Sequence, residues 1–424
     1  MKMKAYSIVV ALLLLAAIFA GCSNDEKSEE SKEKGDEVVK LRMMGYNPES
    51  TRATYLKYLD EKLPNLEITF EFVALDNFNN VLNSQLQAGE GPDIIEVGGE
   101  VKLLAKANHL LDLSDKEFVG KYTDSGLIPY TSEGNVYATP LQSWFEGIFY
   151  NKDIFKENNV EVPKTWDELI AISKQLSDNG VTPQIMGAQS WEPMMKQSIG
   201  VVNNEFYGKD GNNEFDEKFN AGEAKLADEW LQAVTEWAKI IDEGILTQEM
   251  LGLSYDQALD QFATGKAAMW ESGPWAVDTI LEKNADINIG MFPIPGATEG
   301  DGWLIGGPGS ALAINAKSKH IEEALKVLEV TATEEAQLAL IKDNAGSSFL
   351  EGVEVDLGEI YKDSEEAFKA GNVYAPWTAA WLYGNPIVEA YGKSMQEVLS
   401  GTKTVKEALE DADAVNKNFK DSID

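Results

Sequence analysis

The apolar positions of this chain change their spacing several times, and each change predicts an element. Ile8 to Ala20 is an unbroken run of 13 apolar residues preceded by Lys2 and Lys4. A charged start followed by an apolar stretch too short for a comfortable membrane span predicts an export signal over residues 1–21. Residues 23–37 carry ten charges in fifteen positions and no aromatic or branched apolar side chain, which predicts a flexible tether. A coil of that length spans about 20 Å from end to end. From Val38 the spacing alternates. Val38 to Met44 is a short apolar run stopped by Gly45, Arg52 to Lys62 has helical spacing closed by Pro64, and Leu66 to Phe72 alternates like a strand. Asp76 to Ala88 is helical up to Gly89, and Asp93 to Val97 is apolar again. Strand, helix, strand, helix, strand predicts an α/β fold with layers around a mainly parallel sheet. Ligands of such sheets sit beyond the carboxyl ends of the strands, here Gly45-Tyr46-Asn47 and Gly98-Gly99-Glu100.

Three later helices are legible. Thr165 and Glu168 have capping-box spacing at the start of 163–179. Leu226, Trp230, Val234, Trp237 and Ile241 share one face of 224–241, which predicts that both tryptophans are core. Thr404 with Glu407 opens a last helix through Val405, Leu409, Ala412, Val415 and Phe419.

Composition then removes several functions. At 424 residues, with 44% apolar and 9% aromatic side chains, the chain can bury two or three real cores. Its 71 acidic against 36 basic residues, net −35, argue against a nucleic-acid partner. One cysteine makes no internal disulfide, and two histidines with one cysteine do not support a His/Cys zinc site. No cofactor or metal is expected. That cysteine, Cys22, closes the run IFAGC, which resembles a bacterial lipobox, so it is expected to carry lipid as the first mature residue. An acidic body is repelled by anionic lipid, so the acyl chains would have to do the anchoring.

Ten tryptophans remain to be explained. Trp144, Trp191, Trp270, Trp275, Trp303, Trp377 and Trp381 stand beside Gly, Pro, Ser or acidic residues, in stretches that read as loops or element ends. An indole there exposes about 200 Å² of apolar surface unless something covers it. A pyranose ring has a flat C–H face for the indole and a rim of hydroxyls for carboxylates and amides, which Gln189 and Glu192 beside Trp191, and Glu271 beside Trp270, could supply.

Seven segments together resemble a known family. They are AGEGPDII at 88–95, YATP followed by IFYNKDIF within 137–155, PKTWDEL at 163–169, FATGKAAMWESGPWA at 262–276, MFPIPG at 291–296, ALAINAKSK at 311–319 and KTVKEAL at 403–409. In this order they resemble extracellular solute-binding proteins of the maltose-binding-like group, the receptors of bacterial ABC sugar importers, from about Val38 to Phe419. The resemblance implies a two-lobed periplasmic-binding-protein-like fold that closes over ligand in a central cleft. It implies lobes at 38–142 plus 309–346 and at 146–305 plus 350–424, with hinges near Leu141–Phe145, Ile305–Gly309 and Gly346–Leu350.

By position it also implies ligand contacts from Tyr46, Asn47, Glu100, Trp144, Gln189, Trp191, Glu192, Trp275 and either Trp377 or Trp381. Trp270, Glu271 and Trp303 join them on their surroundings alone. The chain departs from maltodextrin receptors in having Tyr46-Asn47 for an acidic-basic pair and Trp144 for a carboxylate, which speaks against maltose itself. The implied protein is a monomeric, non-enzymatic lipoprotein on the outer face of the cytoplasmic membrane. It would carry an oligosaccharide of at least two rings to a permease driven by a cytoplasmic ATPase. Two other readings stand beside it. A cationic solute such as a polyamine would suit the negative charge and the acidic stretch Asp210 to Asp216, and a glycoside hydrolase would use Glu100 and Glu271 as its carboxylate pair.

Overall fold

The computed structural model describes residues 38–209, 212, 214–300, 302–344 and 346–421. The export signal, Cys22 and the tether lie outside the described residues, as do Asp210, Gly211 and Asn213 of the acidic stretch.

Ten strands carry the architecture: β1 (Val39–Gly45), β2 (Leu66–Phe72), β3 (Ile94–Val97), β4 (Ala138–Pro140), β5 (Ser143–Asn151), β6 (Thr182–Ile185), β7 (Ala267–Ser272), β8 (Ile289–Phe292), β9 (Ile305–Pro308) and β10 (Ala311–Ile314). They form two sheets. The first runs β2-β1-β3-β10-β4, and the second runs β8-β5-β7-β6 with β9 also paired to β5. β1 is parallel to β2 from Val39 opposite Leu66 to Gly45 opposite Phe72, and parallel to β3. β10 is antiparallel to β3 and β4.

Both faces of the first sheet are covered, and its strands divide residue by residue between two cores. Met43, Ile94, Leu312 and Ile314 enter one cluster, while Met44, Ile95, Ala311 and Ala313 enter the other. That is why β1 and β3 read as continuous apolar runs, whereas the edge strand β2 alternates. The second half has its own large core, built from Phe149, Trp166, Trp230, Trp237 and Trp270 among others. Around it the helices begin where the sequence places them. Thr165 accepts a hydrogen bond from the Glu168 N–H, and Thr404 and Glu407 cap each other reciprocally. The helix expected over 224–241 is two pieces, Leu226–Glu229 and Leu231–Asp242, joined at the fully buried Trp230.

The chain crosses between the sheets at Leu141-Gln142, from β4 into β5, and returns at Gly309-Ser310, from β9 into β10. These segments are hydrogen-bonded together, Leu141 N–H to Ser310 carbonyl at 2.9 Å and Gly309 N–H to Gln142 carbonyl at 3.0 Å. A third segment joins them, for Ser143 N–H donates to Ser347 carbonyl at 2.8 Å and Gln142 Nε2 donates to Asn344 carbonyl at 2.6 Å. Past that point Phe349, Leu350 and Val353 still pack on the first half, while Leu357 and Ile360 pack on the second. β9 lies so close to β5 that a Cβ on Gly306 would sit 2.1 Å from the Trp144 carbonyl oxygen, and φ there is 158°. Only glycine fits.

β3 and β4 end where the crossings begin, and so do β7 and β9. Pro140 and Val97 both lie opposite Ala311, and β5 extends past Ser272, the last residue of β7, to pair with β9. The carboxyl edges of both sheets therefore border the same crossing.

Candidate ligand-binding site

At the edge of the first sheet sits an ion pair that the sequence does not advertise. Arg52 and Glu96 have side chains 3% and 1% exposed, with Nη2 to Oε1 at 2.7 Å. The same Oε1 accepts from Asn47 Nδ2 at 2.6 Å, and the same Nη2 donates to Ser310 Oγ at 3.0 Å. Gly45 makes room for this carboxylate, since a Cβ there would lie 2.3 Å from Glu96 Oε2. Asn47 is thus fixed by a charged partner, with its remaining amide groups free to be satisfied elsewhere. Beside it the Tyr46 ring stands edge-on to Phe78 at 5.2 Å, and burial, with Glu96 and Glu100 adding, pushes its hydroxyl well above the usual phenol range. Glu100 accepts from the Gly98 N–H at 2.8 Å, but burial outweighs that bond and raises its carboxyl.

The edge of the second sheet is aromatic. Trp144, on β5, is half-buried with its ring 6.1 Å from Trp377 in an edge-on arrangement. Lys196 Nζ lies 6.0 Å from the centre of the Trp144 ring. That lysine comes from the helix Glu192–Val202 and bridges Glu146 Oε1 at 2.7 Å and Glu192 Oε2 at 3.4 Å. Burial alone would lower the ammonium, yet Glu146, Glu192 and Glu271 outweigh it and raise it. For Glu271, burial first, then the neighbouring Glu146, push the carboxyl well above its usual range. Trp275 is 46% exposed, and its Nε1 donates to Tyr255 Oη at 3.0 Å, which in turn meets Ser272 Oγ at 2.9 Å. The ring is anchored at its polar end and bare on a face.

The remaining expected contacts divide. Gln189 is exposed, and Trp191 is half-buried against the second core, directly before Glu192. Trp303 is half-buried, with its backbone paired to Ile294 and its Nε1 directed at Gly208. Two expectations need correction. Trp270 is not at an element end but inside β7, 2% exposed, with Phe149, Phe262 and Tyr255 rings 5.2 to 6.3 Å away. Trp381 is covered by Trp230 at 5.5 Å and Phe219 at 4.7 Å, and its Nε1 donates to Asp216 Oδ1 at 2.7 Å. Both indoles are covered by their own core, and neither keeps a face for a ligand. Of the pair Trp377 and Trp381, it is Trp377 that meets Trp144, though Trp377 is itself 7% exposed and part of the same core.

Arg52, Glu96, Glu146, Lys196 and Tyr255 are the residues that sequence reasoning passes over. Signals for some were present: Glu96 is a lone carboxylate in the apolar run IIEV, and Lys196 follows Glu192 by one helical turn. Among the described residues, no group of three or more His, Cys, Asp or Glu could hold a metal ion, and no helix is long and apolar enough to cross a membrane.

Residues 47–338 match the bacterial extracellular solute-binding protein family, and the chain belongs to it, within the maltose-binding-like group. It is similar to the multiple sugar-binding protein of Streptococcus mutans serotype c, with 26% identity over 350 residues covering 81% of this chain and 82% of the relative. In fold it is similar to a family 1 extracellular solute-binding protein from Bifidobacterium longum subsp. infantis, with TM-score 0.76, 24% identity, 89% of this chain and 98% of that one. A sugar transporter from Bacillus licheniformis, solved in complex with stachyose, is similar at TM-score 0.67 and 20% identity, again over 89% and 98%. Proteins of this fold are two-lobed, so the two sheets are the centres of two lobes and the edges described above border the cleft between them.

Proposed function

We propose that this protein captures a carbohydrate, an oligosaccharide of at least two rings, and presents it to the permease of an ABC importer. The observation that carries this reading is the pairing of unlike walls. Asn47, bound to the Glu96 carboxylate, and Glu100 stand on one lobe, and the half-buried Trp144 and the exposed Trp275 stand on the other, with the largely buried Trp377 edge-on to Trp144. A sugar needs both, hydroxyl partners and an apolar plate. The names of the sugar-binding relative and the stachyose complex support it. Tyr46, Gln189, Trp191 and Glu192 complete the contacts we infer, and Trp303 is left out because it is directed at Gly208.

The lobes we infer are 38–142 with 309–353, and 146–305 with 357–421, the third crossing following Val353 because that side chain still packs on the first core. Ligand would bind the closed arrangement better than the open one, and closure would form the surface that the permease reads. Cys22 would carry the lipid that holds the acidic body at the membrane, with residues 23–37 as tether. The chain acts as a binding protein and performs no chemistry of its own, for Glu271 is buried against Glu146 and Lys196.

A panel of di-, tri- and tetrasaccharides read by thermal shift tests the proposal, with spermidine as the cationic competitor. Ligand at 100 times its dissociation constant stabilises by about 2.7 kcal/mol. Stabilisation by spermidine and by none of the sugars would replace a carbohydrate ligand with a cation. Release of smaller sugars during incubation, abolished in Glu271→Gln, would make the protein a hydrolase. Mass of the lipid-extracted or globomycin-treated protein tests Cys22.

A further inference from the structure

The charged groups bordering the cleft are unequal in number and in freedom. Arg52 is buried and bound to Glu96 at 2.7 Å. Lys196, 16% exposed, is held by Glu146 at 2.7 Å and shared with Glu192 at 3.4 Å. Glu100 and Glu271 add two more carboxyl groups beside these pairs, so five acids surround these two cations; a third cation, Lys102, has Asp216 as its charged neighbour. Arg52 and Lys196 are therefore each committed to a carboxylate that is itself buried or adjacent. Glu146 and Glu271 sit together behind Lys196, and their Oε1 atoms are both shielded from water.

Resting on the carbohydrate reading of this site, we propose that the Glu146–Lys196 bridge makes the cleft charge-selective, accepting uncharged oligosaccharides and rejecting those that carry a carboxylate, phosphate or sulfate. An anionic substituent entering beside Trp144 meets a lysine already held by Glu146, with the half-exposed Glu192 next to it. To gain a partner it must take Lys196 away from Glu146, which leaves that carboxylate buried and unpaired next to Glu271. Both routes oppose binding, the first by like-charge contact and the second by desolvation. An uncharged sugar disturbs neither pair, and it can stack on Trp144 and accept a hydrogen bond from the ammonium without displacing Glu146. Lys196 is in this sense a specificity-determining residue made neutral by its surroundings, and Glu146 is the group that keeps it so.

The test compares each neutral oligosaccharide that binds with its partner in which a terminal CH2OH is oxidised to a carboxylate, by calorimetry at neutral pH. The wild-type protein should bind the acid at least about 100-fold more weakly than the neutral sugar. Glu146→Gln, which releases Lys196, should narrow that gap by about ten-fold or more. Glu271→Gln, which leaves the Glu146–Lys196 bridge in place, should leave it intact. If Glu146→Gln does not fold, Glu192→Gln removes a half-exposed carboxylate from the same lysine and should narrow the gap by about three-fold. Equal binding of acid and neutral sugar by the wild type overturns the proposal, as does a gap that none of the lysine-releasing variants narrows. Failure of every neutral sugar to bind is a different result, and it removes the carbohydrate reading on which this one stands.

Discussion

Arg52 and Lys196 each hold carboxylates at the carboxyl edge of a sheet, yet the two arrangements behave as opposites. Arg52 has one acid, Glu96, and the pair is dry, fixed by Asn47 and Ser310 and recessed beneath a glycine. Lys196 has three acids nearby, one of them half-exposed, and an indole ring on its open side. A one-to-one buried pair sets geometry, holding Asn47 and the end of β1 in place. A crowded lysine sets the local charge, since Glu146 and Glu192 share its ammonium and Glu271 stands beside them, its carboxyl raised by burial and by Glu146. On the reading proposed above, the first lobe would contribute rigidity to recognition and the second stacking surface and charge selection.

Breaking the first pair should have the largest effect. Arg52→Leu leaves Glu96 buried and unpaired and should cost about 3–5 kcal/mol of stability by denaturant unfolding. The double replacement Arg52→Leu with Glu96→Met should recover most of that loss. Trp381→Ala should cost a similar 3–5 kcal/mol, the signature of a core indole. A variant that instead lost affinity at unchanged stability would return Trp381 to the site. Trp144→Ala should weaken sugar binding by about 2–4 kcal/mol, because it removes both the plate and the ring over which Lys196 sits. Trp275→Ala should weaken binding by about 1–3 kcal/mol with the melting temperature unchanged, as its ring is bare and outside the core. Affinity equal to the wild type would take Trp275 out of the site.

The smallest effect is a slope. Glu271 has a carboxyl raised in the folded state, so above the ordinary glutamate range the folded chain holds a proton that the unfolded chain has released. Stability from this group is therefore full at low pH and is lost as pH rises toward the folded value. Glu271→Gln has no such dependence, and its stability relative to wild type should climb by up to about 1.4 kcal/mol per pH unit above about pH 4.5. A flat difference across that interval would show that Glu271 is ionised in the fold.

Much of the architecture was legible one segment at a time. β1, β2 and β3 lie within a residue of their apolar runs, and the Thr165 and Thr404 caps form as written, because strand and helix starts depend on neighbours along the chain. Tyr46, Asn47 and Glu100 could be placed at strand ends for the same reason. The tryptophans could not be sorted that way. Trp270 and Trp275 are five residues apart and share the same Gly, Pro and acidic surroundings, but one is enclosed by Phe149, Phe262 and Tyr255 and the other is open to solvent. Which face of an indole is covered depends on which other elements pack over it, and one ring over Trp270, Phe149, lies 121 positions away.

The sequence by itself determined the α/β layering, the helix caps, the acidic charge and the family, since each rests on local spacing, composition or the order of short segments. Only the tertiary structure decided that Arg52 meets Glu96 across 44 positions, that Lys196 reaches Glu146 across 50, and that Trp377 rather than Trp381 stands beside Trp144. Burial is a property of the whole fold, and it is burial that turns these ordinary charged residues into a fixed pair at Arg52 and a crowded one at Lys196.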